Sequence, residues 1–247
     1  LESTSSVTLN RMLITGSADN NIDAIDVTGL TLDSVSLVDA DNTGFLGISV
    51  QDLTFRNGQV NGNGDVAGEH GIYIQNLLGA STISGTTFQG NVEAQLRVRN
   101  STASASGILT VSGNTFSAPV VSTVGGQLQV EVDTDGNLQL VVDTSVGNNS
   151  MTGGSTGLYA AAIDKGVLDV RVTQATISGT DSVGVILNAV EEGVLRFNLS
   201  GVTVTNAGSH GINAGSNSSG VLNGTIQNST VNGAGVAEGV DADGIRV

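Results

Sequence analysis

Residues 168–194 read LDVRVTQATISGTDSVGVILNAVEEGV, residues 195–221 read LRFNLSGVTVTNAGSHGINAGSNSSGV, and residues 222–239 read LNGTIQNSTVNGAGVAEG. Each of these segments begins with Leu, 27 residues after the previous one, and apolar residues recur at matching places within them. A fixed period of roughly 20 to 50 residues is typical of solenoids, in which each repeat packs against its neighbours. The sequence therefore predicts that residues about 27 apart lie on top of one another.

Three markers extend this period along the chain. The first is an apolar residue that usually follows Thr or Ser, at Ile14, Leu37, Val60, Phe88, Phe116, Met151, Ile177, Val204 and Val231. The second is Gly followed by an apolar residue, at Gly44-Phe45, Gly71-Ile72, Gly157-Leu158, Gly184-Val185, Gly211-Ile212 and Gly244-Ile245, and it fails at Gln95-Leu96 and Gly126-Gln127. The third is Gly-x-Leu, which opens a new copy at Gly107, Gly136, Gly166, Gly193 and Gly220.

Within one copy the apolar residues alternate with polar ones. Leu168, Val170 and Val172 alternate with Asp169 and Arg171, and such pieces are bounded by Gly, Asn, Ser and Asp. Alternation with period two indicates short strands, and no stretch shows a helical period over eleven or more residues. A coil of three short parallel strands per turn fits a 27-residue copy, whereas a β-sandwich does not explain the long period.

Three segments resemble a known group of proteins. They are LTVSGNTFSA at residues 109–118, SGTTFQGN at residues 84–91 and EHGIYIQN at residues 69–76. Their pattern of strand, Asn/Gly turn, strand and Gly-apolar pair resembles the right-handed parallel β-helix repeat proteins of the pectate-lyase-like superfamily, of the non-catalytic bacterial surface or secreted type. The resemblance implies an all-β, right-handed, single-stranded parallel β-helix of about nine coils. We expect residues 1–247 to form a single β-helix domain that is a fragment of a longer multi-repeat protein.

Composition limits the partners of this domain. The chain has 23 acidic and 8 basic residues, a net charge of −15, no Cys and no run of about 18 apolar residues that could span a bilayer. Nucleic acids and anionic membranes attract basic patches, so we expect neither nucleic-acid binding nor membrane insertion. The expected partners are an extracellular polysaccharide or a host or cell-surface protein, with end-to-end self-association as a further expectation, and the expected location is secreted or cell-surface.

Candidate catalytic residues surround the first histidine. Glu69-His70-Gly71 and Ser209-His210-Gly211 resemble the Gly-His-Gly motif that polygalacturonase-type enzymes carry on this fold. Asp65 lies four residues before Glu69. Both histidines occupy the same repeat position, five copies apart, and the carboxylate pair of those enzymes is missing. We therefore interpret the histidines as exposed turn residues, and His70, Asp65 and Glu69 remain the catalytic candidates. Arg97 and Arg99 have only Glu93 nearby in sequence, which indicates solvated charge.

Alternate carboxylates suggest where a metal ion could bind. They occur at Asp39/Asp41, Asp133/Asp135 and Asp241/Asp243, and the last two pairs are followed by Gly. A calcium loop supplies six or more oxygen ligands, whereas each pair supplies two. We predict no cofactor, with weak calcium binding at Asp133, Asp135, Asp241 and Asp243 as the alternative.

Hydroxyl residues flank the first marker on both sides. Thr176 and Ser178 flank Ile177, and Thr203 and Thr205 flank Val204, so stacking would align them in two outer columns. Such columns resemble those of ice-binding β-solenoids, although the first three coils interrupt them. The leading hypothesis is a non-enzymatic, adhesin-like rod that displays polar faces for carbohydrate or protein contacts. The alternative is a polysaccharide lyase or glycoside hydrolase, and the lower alternative is ice binding through these columns.

Overall fold

The computed structural model of the chain describes residues 1–120, 126–235 and 243–247, and these residues form strands, turns and irregular segments without a helix. The strands, numbered β1 to β27 in chain order, lie in three parallel sheets of nine strands each. Sheet 1 contains β1 (Thr8–Asn10), β4 (Thr31–Asp33), β7 (Thr54–Arg56), β10 (Gly79–Ser84), β13 (Ser106–Ser112), β16 (Asn137–Asp143), β19 (Val167–Thr173), β22 (Val194–Ser200) and β25 (Val221–Gln227). Sheet 2 contains β2 (Leu13–Thr15), β5 (Ser36–Val38), β8 (Gln59–Asn61), β11 (Thr87–Gln89), β14 (Thr115–Ser117), β17 (Asn149–Thr152), β20 (Ala175–Ser178), β23 (Thr203–Thr205) and β26 (Thr230–Asn232). Sheet 3 contains β3 (Ile22–Ile25), β6 (Phe45–Ile48), β9 (Ile72–Gln75), β12 (Leu96–Asn100), β15 (Gly126–Val132), β18 (Thr156–Ile163), β21 (Val183–Val190), β24 (Ile212–Asn217) and β27 (Ile245–Arg246).

The chain passes through the three sheets in turn and then begins the next coil. Each strand pairs in parallel with the strand three places further along the chain, so every sheet is a stack of equivalent strands from successive coils. This topology confirms the predicted all-β parallel solenoid of about nine coils with three strands per coil. It also excludes the β-sandwich, because the sheets are built from strands one coil apart rather than from facing hairpins. In the described part of the chain no helix is present that could cross a bilayer.

The first sequence marker forms an unbroken inner column in sheet 2. Ile14, Leu37, Val60, Phe88, Phe116, Met151, Ile177, Val204 and Val231 are register partners from one coil to the next. The rings of Phe88 and Phe116 stack, with ring centroids 4.8 Å apart and an angle of 10° between the ring planes. The apolar columns of the three sheets meet inside the coil and form one continuous core.

The second marker is confirmed in six coils, and of the two coils where it was expected to fail, one was placed correctly and one was shifted by a residue. The inner column of sheet 3 is Ile22, Phe45, Ile72, Leu96, Leu128, Leu158, Val185, Ile212 and Ile245. Gln95-Leu96 and Gln127-Leu128 are thus the equivalent pairs, and placing the marker at Gly126-Gln127 was wrong by one residue. The amides of Gln95 and Gln127 replace the usual glycine and donate to the carbonyls of Ser117 and Gly153.

Close backbone approach explains why this position is usually glycine. A Cβ added to Gly71 would lie 2.6 Å from the carbonyl oxygen of Gln95, and one added to Gly184 would lie 2.4 Å from Cγ1 of Val204. Both distances are shorter than van der Waals contact, so any side chain at these positions would push neighbouring coils apart.

The third marker is out of register at its first copy. Leu138, Leu168, Leu195 and Leu222 stack in sheet 1, as Gly-x-Leu predicts for the last four copies. Gly107, however, pairs directly with Leu138, so Leu109 lies two residues beyond this column. A shift of two residues keeps the same side chains inside the coil, because strand side chains alternate with period two. The apolar pattern therefore could not reveal the shift.

Buried asparagines connect successive coils at the corners. Asn114 accepts a hydrogen bond from the backbone N–H of Thr86 and donates to the carbonyl of Ile83, and its own backbone N–H donates to the side chain of Asn149. Asn114 and Asn149 are both fully buried. The side-chain amides of these asparagines thus satisfy backbone groups of the adjoining coil. Asn228 differs, because it is exposed and adopts φ of 49°, in the left-handed region that Asn tolerates.

An ion pair between neighbouring coils lies on the outer surface of sheet 1. Asp169 is the register partner of Arg196, and Nη1 of Arg196 lies 3.3 Å from Oδ1 of Asp169. The side chains are 57% (Arg196) and 43% (Asp169) exposed, so water screens the pair and its contribution to stability is small.

Candidate functional site

The outer side of sheet 3 carries a group of aromatic and charged side chains from four successive coils. Tyr73, Arg97, Gln129 and Tyr159 are register partners in β9, β12, β15 and β18 and form one outer column. The next outer column contains Gln75, Arg99, Glu131 and Ala161. We call the surface formed by Tyr73, Arg97, Arg99, Glu131 and Tyr159 the Tyr–Arg face. It contains both tyrosines of the chain.

Two diagonal ion pairs cross this face. Nη2 and Nε of Arg97 lie 2.8 and 3.2 Å from Oε2 of Glu131, and Nε of Arg99 lies 2.8 Å from Oδ2 of Asp133. Each arginine thus reaches a carboxylate two residues beyond its own register partner. The hydrogen bond that Arg99 donates to the carboxylate of Asp133 raises the pKa of Arg99. Arg97 and Glu131 are mostly shielded from water, so their charge-assisted bonds fix the orientation of both side chains.

These pairs correct the interpretation of Arg97 as solvated charge, whereas Arg99 is exposed to solvent but also has a carboxylate partner. Their carboxylate partners lie 34 residues further along the chain, whereas the sequence period suggested a neighbour about 27 residues away. The coil that separates them is longer than its neighbours and the contacts are diagonal. The mean period of about 27 residues therefore does not identify Glu131 or Asp133 as the partner of either arginine.

Tyr73 and Tyr159 lie at the two ends of the outer column that contains Arg97. The guanidinium carbon of Arg97 lies 5.2 Å from the ring centroid of Tyr73, a cation–π contact. Burial, assisted by the negative charge of Glu131, raises the pKa of the Tyr159 phenol, which also forms a hydrogen bond with Asn188. Each ring is therefore held in place while part of its surface remains exposed.

His70 lies directly behind the Tyr–Arg face and is fully buried. Its Nδ1 accepts a hydrogen bond of 3.1 Å from the backbone N–H of Ala94 in the next coil, and its ring meets Tyr73 edge-on at 5.2 Å. Burial and the positive charge of Arg97 lower its pKa to about 3, so the imidazole is neutral near pH 7.

The interpretation of both histidines as exposed turn residues was wrong. His210 is 7% exposed, and its Nδ1 accepts a hydrogen bond of 2.9 Å from the backbone N–H of Asp243. In both coils the imidazole turns inward because it satisfies an amide of the following coil that would otherwise lack a partner.

The other two catalytic candidates do not join His70 in a catalytic arrangement. Oε2 of Glu69 accepts hydrogen bonds of 2.6 and 2.8 Å from the backbone N–H groups of Asp65 and Val66, so Glu69 closes its own loop. Glu93 supports the same loop by accepting from the N–H of Gly68. Asp65 is exposed on this loop, and it contributes its backbone N–H rather than its carboxylate.

The metal-ligand candidates that the structure describes do not form one site. Asp133 is bound to Arg99, Asp135 is exposed in the adjoining turn, and Asp243 is exposed before β27. Asp241 lies outside the described residues. Within residues 1–120, 126–235 and 243–247, no group of three or more His, Cys, Asp or Glu side chains is placed to hold a metal ion.

The Thr and Ser candidates lie on the outer side of sheet 2. Thr176 is the register partner of Thr203, and Ser178 is the register partner of Thr205. The two columns continue through neighbouring coils as predicted, and residues such as Leu13 and Val38 interrupt them near the N-terminal end.

A shallow groove lies on the outer side of sheet 1. It has a volume of about 450 Å³ and is lined by Asp169, Arg171, Arg196, Phe197, Asn198 and Gly224, among others. The groove therefore lies on sheet 1, whereas the Tyr–Arg face lies on sheet 3. We take the Tyr–Arg face as the better candidate site, because its side chains hold one another in position, whereas the groove is bordered by the exposed Asp169–Arg196 pair.

Comparison of the chain with protein-family models, with curated proteins and with solved structures found no match.

Proposed function

We propose that this chain is a segment of a non-enzymatic, adhesin-like rod from a secreted or cell-surface bacterial protein, and that its Tyr–Arg face binds carbohydrate. The proposal includes membership of the right-handed parallel β-helix proteins of the pectate-lyase-like superfamily. The observation that carries it is the clustering of both tyrosines with the Arg97–Glu131 pair on one outer face.

The chemistry of this face suits a sugar. Aromatic rings offer flat apolar surface to the C–H groups of a pyranose, and a hydroxyl group donates one hydrogen bond and accepts others. Arg97 supplies fixed donors and Glu131 supplies fixed acceptors beside the Tyr73 ring. Because these side chains already contact one another, little conformational entropy is lost when a ligand binds.

The hydrogen bonds that the charged groups already form favour binding over catalysis. Charged residues from neighbouring coils do meet on this face, which is the arrangement that a polysaccharide-active enzyme would require. Each carboxylate is nevertheless bound to an arginine, and His70 uses its basic nitrogen for the amide of Ala94. A general acid or base needs a proton-accepting atom that the substrate can reach, so a lyase or hydrolase is the second candidate.

The Thr/Ser columns of sheet 2 support ice binding as a weaker candidate. Thr176, Ser178, Thr203 and Thr205 form regular outer columns, but Thr is also a common residue of exposed strands.

Glycan binding tests the proposal. We expect the chain to bind at least one soluble glucan, mannan or galactan, and we expect Tyr73→Ala and Arg97→Gln to lower the affinity by about tenfold, the effect of losing roughly 1.4 kcal/mol of contact. Isothermal titration calorimetry measures the affinity, and a thermal melt checks that each variant is folded. Thr176→Ala is the matched control, because Thr176 lies on sheet 2 rather than sheet 3, and it should leave the affinity unchanged.

Two results would reject the proposal. One is that no glycan binds, and the other is that Thr176→Ala weakens binding as much as the Tyr–Arg variants do. Release of shortened oligosaccharides during the titration would instead support the enzymatic candidate.

A further inference from the structure

The Tyr–Arg face is longer along the axis of the solenoid than across its strands. Tyr73 lies in β9 and Tyr159 lies in β18, and β12 and β15 lie between these two strands in sheet 3. Three strand spacings of about 4.8 Å place the two tyrosines about 14 Å apart along the axis. Across the strands the face has two outer columns, whose members are two residues apart, or about 7 Å. A ligand that contacts both rings therefore lies along the axis.

The side chains between the two tyrosines lie close to the sheet. Gln129 follows Arg97 in the outer column and is only 4% exposed, so it does not project into solvent. The side chains of Arg97 and Glu131 are 21% and 15% exposed and are bound to each other. A ligand can therefore rest on this strip without displacing a side chain, and the partly exposed rings at its two ends remain within reach.

The charges on this strip occur in pairs of opposite sign. Arg97 is paired with Glu131, and Arg99 is paired with Asp133. An anionic ligand would be attracted by the arginines and repelled by the carboxylates, on a chain whose net charge is −15. A hydroxyl group can accept a hydrogen bond from a guanidinium group and donate one to a carboxylate without carrying a charge itself. The strip is therefore suited to a neutral ligand that is rich in hydroxyl groups.

Aliphatic side chains continue the same outer column beyond both tyrosines. Leu46 is the register partner of Tyr73 in the preceding coil, and Ile186 is the register partner of Tyr159 in the following coil. Both side chains are partly exposed and offer further apolar surface to the C–H groups of a sugar. The column can therefore accept a chain that extends past both rings, rather than only the end of a chain.

We propose that the Tyr–Arg face binds an internal stretch of a neutral, extended polysaccharide that lies along the axis of the solenoid and contacts Tyr73 and Tyr159 at the same time. This inference rests on the carbohydrate-binding function proposed above and specifies its ligand class and orientation. A single sugar unit cannot reach both rings. Once a long chain contacts one ring, its contact with the other is intramolecular, so long chains bind more tightly than short ones.

The two tyrosines allow contact with each ring to be measured separately. The chain has no Trp and no other Tyr, so all of its tyrosine fluorescence comes from the Tyr–Arg face. Tyr73→Phe keeps an aromatic ring at this position and leaves Tyr159 as the only tyrosine, and Tyr159→Phe does the converse. The second variant also loses the hydrogen bond between the Tyr159 phenol and Asn188, so a thermal melt checks that it is folded.

Fluorescence titration of the unmodified chain and the two Phe variants tests the inference. The probes are soluble glucan, mannan and galactan, each as a long chain and as a ladder of oligosaccharides that begins with the monosaccharide, with polygalacturonate as the acidic counterpart. We expect a long neutral chain to change the tyrosine emission of both Phe variants, with the same midpoint. Oligosaccharides too short to reach both rings should bind about tenfold more weakly or worse, because they lack the second, intramolecular contact.

Three outcomes would overturn the inference while leaving the proposed function intact. They are a long neutral chain that changes the emission of only one tyrosine, equal affinity for the monosaccharide and the long chain, and binding of polygalacturonate in preference to every neutral chain. In each case a carbohydrate still binds to the face. If none of the glycans binds to the unmodified chain, the proposed function itself fails.

Discussion

Phe116→Ala is expected to lower the free energy of unfolding by about 3–5 kcal/mol, the usual effect of removing a large buried aromatic side chain. Phe116 is completely buried in the inner column of sheet 2, and its ring stacks on that of Phe88 at 4.8 Å. The cavity would lie between two coils whose spacing is fixed by backbone hydrogen bonds, so the coils cannot move together to fill it.

Urea unfolding followed by circular dichroism measures this effect. The matched control is Thr115→Ala, one residue earlier in the same strand, where the side chain is exposed and the expected change is within about 0.5 kcal/mol. Equal effects of the two substitutions would show that Phe116 does not face the core.

Asn114→Ala is expected to destabilise the chain by about 2–4 kcal/mol. The substitution leaves the backbone N–H of Thr86 and the carbonyl of Ile83 without their side-chain partner. A buried polar group that loses its partner costs about 1–3 kcal/mol, and here two groups are affected. The loss also breaks the contact with Asn149 that links two coils at this corner.

The control for this corner is Asn198→Ala in the middle of β22. Asn198 is exposed, and its amide oxygen accepts one hydrogen bond from the hydroxyl of Thr225. Urea unfolding should show a change within about 0.5 kcal/mol for Asn198→Ala. A similarly small change for Asn114→Ala would mean that water or a neighbouring side chain replaces the lost bonds.

The repeat period was sufficient to predict the fold. The apolar marker from Ile14 to Val231 is unbroken in register, because each residue of this column must fill the same space inside the coil. The sequence predicted less well which residues of neighbouring coils are register partners. At Gly107 a shift of two residues preserved the alternation, and at Gln127 a polar side chain replaced the usual glycine.

The candidate site was mostly hidden from sequence analysis. Glu131 contacts Arg97 on a diagonal across a coil of unusual length, so neither the mean period nor sequence proximity brings the two residues together. His70 was expected outside the core because it precedes a Gly in a turn-like segment, but its Nδ1 satisfies a backbone amide of the next coil. The sequence did contain a signal for the contacts of the two histidines. The segments EHGIY (residues 69–73) and AQLRV (residues 94–98) are repeated by SHGIN (residues 209–213) and DGIRV (residues 243–247), in the same order.

Distances between spin labels test most directly whether residues about one period apart are stacked. The chain has no cysteine, so labels can be attached to introduced pairs such as Thr87→Cys with Thr203→Cys and Ser36→Cys with Thr203→Cys. These outer positions of sheet 2 are four and six strands apart. Electron–electron double resonance should give a distance about 10 Å longer for the second pair, because two further strand spacings separate its labels. Equal distances for the two pairs, or a shorter distance for the second, would contradict the solenoid and the faces derived from it.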